Sequence, residues 1–445
     1  MTDLKTRVRE ILPGLLEDLK DLVRIQSVSA DPARLAEVEE SARKTAELLT
    51  AAGADVEIVR ASDGAPPAVV GEKRGPEGAP VVLLYAHHDV QPENDPADWD
   101  TPPFEPTVRG ERMFGRGAAD DKAGIATHLG ALRALGLDLP VTVRFFIEGE
   151  EEVASATLPD LLRLFKDRLA ADVIVIADSS NWAVGTPALT TTLRGLVRAD
   201  VTVRTLSHAV HSGMWGGLVP DALMALTRLL SSLWNEDGSP AIAGLKTGTA
   251  ADLDYPEDRL RAESGAAPGT RWIGSGSAVS KLWAQPAITV TGIDAPKVDG
   301  ASNTLTPVAR AKVTIRLAPG DSSASAFAAL TAHLEENAPW GASVDVSLVD
   351  HGEPTVLPTS GAAYSAAHEA LTEAWDGTEA VDTGTGGSIP FIAEFQEAFP
   401  DSSILVTGVE DPDTRAHGAN EGLHLADFER VVLGEALLLQ KLAQR

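Results

Sequence analysis

Three short apolar runs, each followed at once by acidic or imidazole side chains, constrain the fold of this chain more than any other feature. Their length and β-branched content predict buried strands. Helical periodicity and length predict helices between them, at Ala123–Leu135 and Leu158–Leu169. The alternation of strand and helix predicts an α/β fold, with a mixed, largely parallel sheet flanked by helices. The three runs are Val81–Ala86, Val141–Ile147 and Val173–Ala177.

The chain has 445 residues, which is too long for one ordinary hydrophobic core. Residues 4–53 predict two amphipathic helices, and the strand–helix rhythm continues to about residue 187. Alternating segments, a helix opened by Pro220 and a Gly-, Ala-, Pro- and Ser-rich loop at 236–280 follow. We therefore expect an inserted α+β domain at 188–355. It would separate the first part of a catalytic domain, 1–187, from its second part, 356–445.

The charge balance excludes several classes of partner. The 37 Lys and Arg against 65 Asp and Glu give a net charge of −28, which disfavours nucleic acid and anionic membranes. The absence of cysteine excludes thiolate zinc sites and a cysteine nucleophile. Neither a signal peptide nor an apolar stretch long enough to span a membrane is evident, so we expect a cytoplasmic protein.

The side chains after the predicted strands can bind metal ions. Ligands gather at the carboxyl edge of the strands in open α/β sheets, and all three runs end in such residues. His87 and Asp89 lie two residues apart on an extended backbone and so project to the same face. Asp89 can then fix the imidazole of His87 for metal binding, although a simple surface His–Asp pair would show the same pattern. Asp178 follows the third run.

Two acidic stretches extend this pattern. In Gly115–Lys122, one carboxylate of the pair Asp120 and Asp121 could bridge two cations, although a solvated helix N-terminus is also rich in aspartate. The run Glu150–Glu152 directly follows a buried-looking strand, where crowded carboxylates repel unless cations neutralise them. One of these glutamates could bind metal while its neighbour acts as a general base.

Two histidines in glycine-containing segments are weaker candidates. His417 lies in a loop after the last predicted strand, where an exposed histidine is common. His211 lies in the inserted domain, and its local sequence does not indicate catalysis. Because no Gly-x-Ser-x-Gly motif occurs, a serine hydrolase has no support.

Taken together, these motifs resemble a known enzyme family along essentially the whole chain. They are similar to the co-catalytic zinc metallopeptidases, a group that includes carnosinase, cytosolic non-specific dipeptidases, succinyl-diaminopimelate desuccinylase and aminoacylase. The Asp-Val-Gln-Pro stretch at 89–92 and the long insertion look most like the dipeptidase branch. The motifs that carry the resemblance are 85–92, Gly115–Lys122, Glu148–Glu152, Asp178, 211–213, 386–390 and His417.

The resemblance implies a role for each matching residue. His87 and Asp178 would bind one divalent ion, Glu152 and His417 a second, and Asp120 would bridge them. Glu151 would be the general base and Asp89 the partner of His87. His211 would stabilise the oxyanion, in the same subunit or across a homodimer formed by the inserted lid domain. The residues implied in substrate binding are Asn303, Arg316, Gly387 and Ser388.

The resemblance also implies a cis peptide bond between Asp120 and Asp121. Three positions depart from the family pattern without touching a ligand: Ala86 before the metal histidine, Ala209 before the His-Ser-Gly motif, and Thr306 where proline is common. These departures put the sub-family in doubt rather than the chemistry.

The expected activity is hydrolysis of dipeptides or short peptides with a free C-terminal carboxylate. Two divalent ions would serve as cofactors, with Zn²⁺ favoured by the His and carboxylate ligands, and Mn²⁺ or Co²⁺ as alternatives. An N-acyl-amino-acid deacylase or a desuccinylase would use the same metal core. A metal-binding scaffold without catalysis is a further alternative, but it would have no need of Glu151.

Overall fold

The structure, a computed structural model, describes residues 3–137, 139–250, 252–387 and 390–444. Its helices are α1 (Leu4–Arg24), α2 (Leu35–Ala51), α3 (Lys122–Leu135), α4 (Leu158–Leu164), α5 (Lys166–Leu169), α6 (Ser212–Trp215), α7 (Ala222–Ser231), α8 (Glu257–Ser264), α9 (Ala278–Trp283), α10 (Ser323–Glu336), α11 (Ala362–Ala374), α12 (Pro390–Ala398) and α13 (Leu425–Leu442). Short 3₁₀ turns occur at Pro32–Arg34, Pro96–Asp98, Glu151–Val153 and Pro339–Gly341.

The strands are β1 (Asp55–Val59), β2 (Ala68–Lys73), β3 (Val81–His87), β4 (Thr107–Arg109), β5 (Arg112–Phe114), β6 (Thr142–Glu148), β7 (Val173–Ile176), β8 (Ala188–Leu193), β9 (Gly195–Arg204), β10 (Val210–His211), β11 (Ala287–Asp294), β12 (Thr304–Leu305), β13 (Val308–Leu317), β14 (Ser343–Gly352), β15 (Thr355–Val356), β16 (Val381–Thr385), β17 (Ser403–Val406) and β18 (Gly422–His424). The three apolar runs Val81–Ala86, Val141–Ile147 and Val173–Ala177 form the strands β3, β6 and β7.

The chain divides into two compact units. Unit 1 contains Met1–Thr191, Leu357–Thr383 and Phe391–Arg445, and unit 2 contains Thr192–Val356 and Gly384–Pro390. The predicted boundaries, 187/188 and 355/356, lie a few residues before this division. The segment Gly384–Pro390 belongs to unit 2, although the sequence analysis assigned all of 356–445 to the catalytic domain. The residues that precede this segment belong to unit 1, so the sequence gives no sign of the change.

Unit 1 is built on a six-stranded sheet with the order β1-β2-β6-β3-β7-β17. The strands β6, β3, β7 and β17 run parallel, whereas β1 and β2 pair antiparallel at one edge. The prediction of a mixed, largely parallel sheet is therefore confirmed. The central strands are apolar on both faces because helices cover both sides of a parallel sheet, and every residue of β7 is buried.

Helices α1, α3 and α13 pack together beside this sheet and share one hydrophobic core. Within α3 every residue except Arg133 is buried, which agrees with its mostly apolar sequence. Lys122, at its first turn, donates from Nζ to the backbone oxygens of Leu22, at 2.8 Å, and Ile25, at 2.7 Å. This lysine thereby satisfies carbonyl groups at the end of α1 that lack helical partners.

Unit 2 is built on an antiparallel sheet with the order β11-β13-β9-β14. Helices α7 and α10 pack on this sheet, and leucines of both helices lie in its core. The apolar stripe of α7 was expected to pack a core: Leu226, Leu229 and Leu230 are buried, and Leu223 packs against them. Unit 2 is thus an α+β unit with its own hydrophobic core.

Two predictions about unit 2 were wrong in detail. Helix α7 begins at Ala222 rather than at Pro220, because Asp221 accepts hydrogen bonds from the backbone of Leu223, at 2.9 Å, and Met224, at 3.2 Å, and so caps the helix. The predicted loop at 236–280 contains α8 and the start of α9. Helix α8 has no buried residue, so it lacks the apolar periodicity that would predict it.

Among the described residues, no helix combines the length and the apolar character needed to cross a bilayer. This finding agrees with the absence of such a stretch in the sequence.

The end of β17 depends on a glycine. A Cβ atom placed on Gly408 would overlap the backbone carbonyl of Ser179, so the two chain segments can approach only because this position has no side chain. We expect Gly408→Ala to destabilise the protein by at least about 2 kcal/mol, since neither backbone can shift freely. Denaturant unfolding followed by circular dichroism measures this difference.

Gly14→Ala is the matched control, because Gly14 is exposed in α1 and has no atom within 4 Å of the added methyl position. This substitution should stabilise the protein by about 0.5–1 kcal/mol. Equal stability of the Gly408→Ala variant and the unmodified protein would contradict the close approach described above.

Candidate metal centre

The carboxyl edge of the unit 1 sheet carries the metal-competent residues predicted from the sequence. His87 is the last residue of β3, opposite Glu148 at the end of β6. Asp178 lies two residues beyond the end of β7. Because these strands are parallel neighbours, their carboxyl ends meet at one edge, as the sequence pattern predicts.

The five residues implied as metal ligands lie in one cluster. Ligand atoms of His87, Asp120 and Glu152 lie within 4.8 Å of one another, and the same holds for His87, Glu151 and Asp178. Nε2 of His417 lies 3.1 Å from Asp120 Oδ2 and 3.5 Å from Glu152 Oε2. The loop after β17 therefore reaches the same place as the ends of β3, β6 and β7.

Asp120 occupies the centre of this cluster. Its Oδ1 lies 3.2 Å from Nε2 of His87, and its Oδ2 lies 3.1 Å from Nε2 of His417. The two carboxylate oxygens thus face different histidines, which is the arrangement that a bridging carboxylate requires. The peptide bond between Asp120 and Asp121 is cis, as the resemblance implied.

A buried glutamate holds the segment that carries Asp120. Glu421 Oε1 accepts hydrogen bonds from the backbone of Ala119, at 2.9 Å, and Asp120, at 3.1 Å. Its Oε2 accepts from the backbone of Gly117, at 3.0 Å, and from Arg116 Nη1, at 2.5 Å. Four donors on one carboxylate fix the backbone of residues 116–120, and with it the position of Asp120.

Asp89 connects the β3 side of the cluster with the glutamates. Nδ1 of His87 lies 3.1 Å from the backbone oxygen of Asp89 and 3.4 Å from its Oδ1. Both carboxylate oxygens of Asp89 also accept backbone hydrogen bonds at 3.2 Å, Oδ1 from Glu151 and Oδ2 from Glu152. Asp89 therefore orients the imidazole of His87 and positions the backbone of both glutamates.

Glu152 is oriented by Gln91. The backbone N–H of Gln91 donates to Oε1 at 2.9 Å, and its side-chain amide donates to Oε2 at 2.7 Å. These bonds hold the carboxylate of Glu152 beside His417. The side chain of His417 is 61% exposed, whereas that of Glu152 is 3% exposed.

The carboxylates of the cluster are strongly perturbed. Burial raises the pKa of Asp178 to about 6 and the pKa of Glu152 to about 10, and the negative charge of Asp120 contributes to both. Burial likewise raises the pKa of Glu151 well above its usual value, with added repulsion from Asp178 and Asp89. Positive charge in this pocket would therefore stabilise the charged forms of these carboxylates.

Asp120 and His87 shift in the opposite sense, toward their charged forms. Burial opposes the charge on Asp120, but His417 and His87 outweigh it and lower the pKa of this carboxyl below its usual range. Burial also opposes the charge on His87, yet Asp120 and Asp89 raise its pKa well above the usual value.

These residues fit a pair of divalent cations. Nε2 of His87 is buried and makes no hydrogen bond, although it is surrounded by carboxylates. Such an unpartnered nitrogen can bind a metal ion. A cation at this place would also stabilise the charged forms of the surrounding carboxylates, whose pKa values are raised. Imidazole and carboxylate donors are the ligands of Zn²⁺, and Mn²⁺ or Co²⁺ accept the same set.

Sequence reasoning missed several residues that support the site. Glu421 follows His417 by four residues and was given no role. Asp121 Oδ2 accepts a hydrogen bond from the backbone of His87 at 3.1 Å, and Gln91 binds Glu152. Glu410 is partly buried, and burial together with Asp120 and Asp178 raises its pKa well above the usual value. Gln91 and Asp121 lie inside motifs that the sequence analysis singled out, whereas Glu410 and Glu421 lie outside them.

The residues implied in substrate binding lie in unit 2. His211 is exposed and pairs with Thr304 across β10 and β12, and the next backbone N–H, of Ser212, donates to the oxygen of Asn303 at 2.9 Å. Arg316 lies half-buried on β13. The backbone N–H of Gly387 donates to Thr385 Oγ1 at 3.4 Å. Ser388 lies outside the described residues.

Comparisons with known proteins place this geometry in context. A family model described as peptidase family M20/M25/M40 matches residues 83–441. A cysteinylglycine-S-conjugate dipeptidase of Corynebacterium striatum is 35% identical over 433 residues, covering 96% of this chain and 94% of the relative. A human β-Ala-His dipeptidase is 29% identical over 445 residues, covering 92% and 86% of the two chains.

One solved structure shows how far the fold is shared. The structure of the di-peptidase Dug1p from Saccharomyces cerevisiae superimposes with a TM-score of 0.80 at 24% sequence identity, covering 99% of this chain and 98% of that one. At this identity the likeness establishes a common fold.

The hydrogen bonds of Glu421 generate a prediction about metal binding. Glu421→Gln replaces one acceptor oxygen with an NH₂ group that faces backbone donors, so the segment that carries Asp120 should lose its position. We expect metal affinity to fall by about 10–100-fold, the usual effect of removing a residue that orients a ligand. Titration with Zn²⁺ under a competing chelator, with metal analysis of the purified protein, measures this change.

Glu373→Gln is the matched control, because this exposed glutamate of α11 pairs with Lys441 and lies outside the metal cluster. It should bind metal as the unmodified protein does. Unchanged affinity in the Glu421→Gln variant would show that Glu421 does not position Asp120.

Proposed function

We propose that this chain, which belongs to the M20 family of peptidases, hydrolyses the amide bond of dipeptides or short peptides that end in a free carboxylate. It is a metal-dependent dipeptidase. The observation that carries the proposal is the convergence of two histidines and four carboxylates, Glu151 among them, at one edge of the unit 1 sheet.

The proposed ligand assignment follows the resemblance and the cluster. His87 and Asp178 would hold one ion, Glu152 and His417 the other, and Asp120 would contact both. This assignment is supported by the two oxygens of Asp120, each of which faces one histidine. Zn²⁺ is the proposed ion. Two such ions would supply a water molecule with a lowered pKa and would polarise the scissile carbonyl.

Glu151 is the proposed general base. Its carboxylate lies within 4.8 Å of ligand atoms of His87 and Asp178, and its backbone is held by Asp89. At this position the Glu151 carboxylate would accept the proton of the attacking water and then transfer it to the leaving amine nitrogen. Asp89 would act only by holding His87 and the backbone of Glu151.

Unit 2 carries the proposed substrate contacts. The guanidinium of Arg316 offers a planar fork for the C-terminal carboxylate of a substrate, with Asn303, Gly387 and Ser388 as further contacts. His211 would donate a hydrogen bond to the oxyanion of the tetrahedral intermediate. A homodimer through unit 2 and a cytoplasmic location stay predictions.

An N-acyl-amino-acid deacylase or a desuccinylase is the second candidate, since the same residues would cleave those amides. A dipeptidase is favoured because the relatives reported above are dipeptidases over most of the chain. A scaffold that binds metal without catalysis is disfavoured by the position of Glu151 inside the cluster.

The substrate class is tested with a panel of amides on the metal-reconstituted protein. We expect release of amino acids from dipeptides such as Cys-Gly and β-Ala-His, and little turnover of N-acetyl- or N-succinyl-amino acids. Preference for the acylated compounds would identify the chain as a deacylase or desuccinylase. If no amide were hydrolysed, the metal-binding scaffold without catalysis would be the remaining alternative.

The same panel tests the base. Glu151→Gln should lower kcat by about 10²-fold or more while the metal content stays constant, because glutamine cannot accept the proton. Glu150→Gln is the neighbouring control, since its Oε1 accepts from the backbone of Thr157 at 2.6 Å rather than facing the cluster. Near-normal turnover by Glu151→Gln with bound metal would make the assignment wrong.

The proposed role of His211 gives a prediction that separates catalysis from metal binding. His211→Ala should lower kcat by about 10²–10³-fold, as the loss of one oxyanion donor does, with unchanged metal content. His208→Ala removes another exposed histidine three residues away in the same unit and should have little effect. Loss of metal from the His211→Ala variant would instead identify His211 as a ligand.

A further inference from the structure

Unit 2 contains a concave site whose lining residues have no assigned role in the proposed dipeptidase activity. It is a cavity of about 480 Å³ enclosed by the loop after α7, by α8 and α9, and by the start of β11. This volume lies within the range of small-molecule sites. Its apolar lining includes Trp234, Tyr255, Leu260, Trp272, Leu282 and Pro286.

The walls of this cavity are fixed by specific contacts. Gly238 has a φ of +84°, and a Cβ there would lie 2.7 Å from Cβ of Ile273, so glycine allows the two wall segments to approach closely. The backbone N–H of Gly274 donates to the oxygen of Asp237 at 2.8 Å. Trp272 Nε1 donates to Glu257 at 2.5 Å, and the Arg261 guanidinium lies 4.9 Å from the Trp272 ring. The cavity is therefore formed without a ligand.

Two cations line the cavity without a carboxylate partner. Arg194 is only 9% exposed, and its Nε has no hydrogen-bond partner. Its Nη1 makes two long bonds, to the backbone oxygens of Lys281, at 3.4 Å, and Gln285, at 3.3 Å. Within the described part of the chain, neither Arg194 nor Lys281 forms an ion pair with a carboxylate. Glu263 lines the same cavity, but its carboxylate binds Arg259 and Tyr255.

Burying a cation without an opposite charge lowers the free energy of unfolding, because the cation loses its contacts with water. Burial and the like charge of Arg316 lower the pKa of Arg194 to about 10, so this guanidinium still carries its charge at neutral pH. The buried Arg116 of unit 1 shows the usual solution, an ion pair with Glu421 at 2.5 Å. The chain has 65 acidic against 37 basic side chains, and yet none of the described carboxylates forms an ion pair with Arg194. Lys281 forms no ion pair either, although its charge helps to lower the pKa of Glu257.

We propose that this cavity binds a small free carboxylate with an aromatic body, whose charge is held by Arg194 and Lys281 and whose ring lies among Trp234, Tyr255 and Trp272. The aromatic walls would supply the apolar contact area, and the two unpaired cations would supply the electrostatic complement. This site lies entirely within unit 2, and its occupation requires no metal.

The proposal is tested by calorimetric titration of the full-length protein with 3-phenylpropionate, before and after removal of metal with a chelator. We expect one site per chain with the same affinity in both states. The neutral amide of the same compound should bind about tenfold or more weakly, because it lacks the charge that the cations contact.

A charge-reversal variant identifies the site. Lys281→Glu should weaken binding of 3-phenylpropionate by about tenfold or more, whereas Lys297→Glu, an equal charge change at an exposed position of unit 2 outside the cavity, should not. Trp272→Ala, in the apolar lining, should also weaken binding, and it tests the apolar contacts without changing the charge.

Three results would overturn the proposal. They are absence of saturable binding, loss of binding when the metal is removed, and equal weakening by Lys281→Glu and Lys297→Glu. The second result would place the probe at the metal centre, and the third would reduce the effect to the overall charge of the protein. None of them bears on the dipeptidase activity, which the amide panel measures separately.

Discussion

The structure of unit 1 depends on one electrostatic constraint, the crowding of buried carboxylates around His87. Asp120, Glu151, Glu152 and Asp178 come together in a pocket from which most water is excluded. Burial and the neighbouring negative charges raise the pKa values of three of them, Glu151, Glu152 and Asp178. A pair of divalent cations would stabilise their charged forms, so metal binding would also contribute to folding.

The fold meets this constraint by bringing rigid elements to one edge. Parallel strands deliver His87 and Asp178 on backbone that is hydrogen-bonded on both sides, and the acidic segment after β6 is tied to Asp89. The Asp120 segment belongs to no strand, and Glu421 holds it through four hydrogen bonds. The backbone of His87 and Asp120 and the carboxylate of Glu152 are thus each held by a hydrogen bond from another segment of the chain.

Unit 2 has a separate core and a different electrostatic character. Its sheet is antiparallel, and its candidate substrate residues lie near strand ends and loops, where side chains are free to contact a ligand. Arg194 and Arg316 both lack a carboxylate partner among the described residues, in contrast to the paired arginines of unit 1. Unpaired positive charge in a strongly acidic chain is consistent with the recognition of carboxylates by this unit.

The sequence by itself determined the strands β3, β6 and β7, the largely parallel sheet and the edge at which the ligands meet. It could do so because apolar runs that end in acidic or imidazole residues leave few alternatives for a buried strand. Tertiary structure alone decided which carboxylates support the others: Glu421 lies about 300 residues from Asp120 along the chain, and no local pattern predicts their hydrogen bond. Helix α8 and the aromatic cavity were also evident only in the tertiary structure. An exposed helix has no apolar periodicity that would predict it, and the walls of the cavity come together only when distant segments of the chain meet.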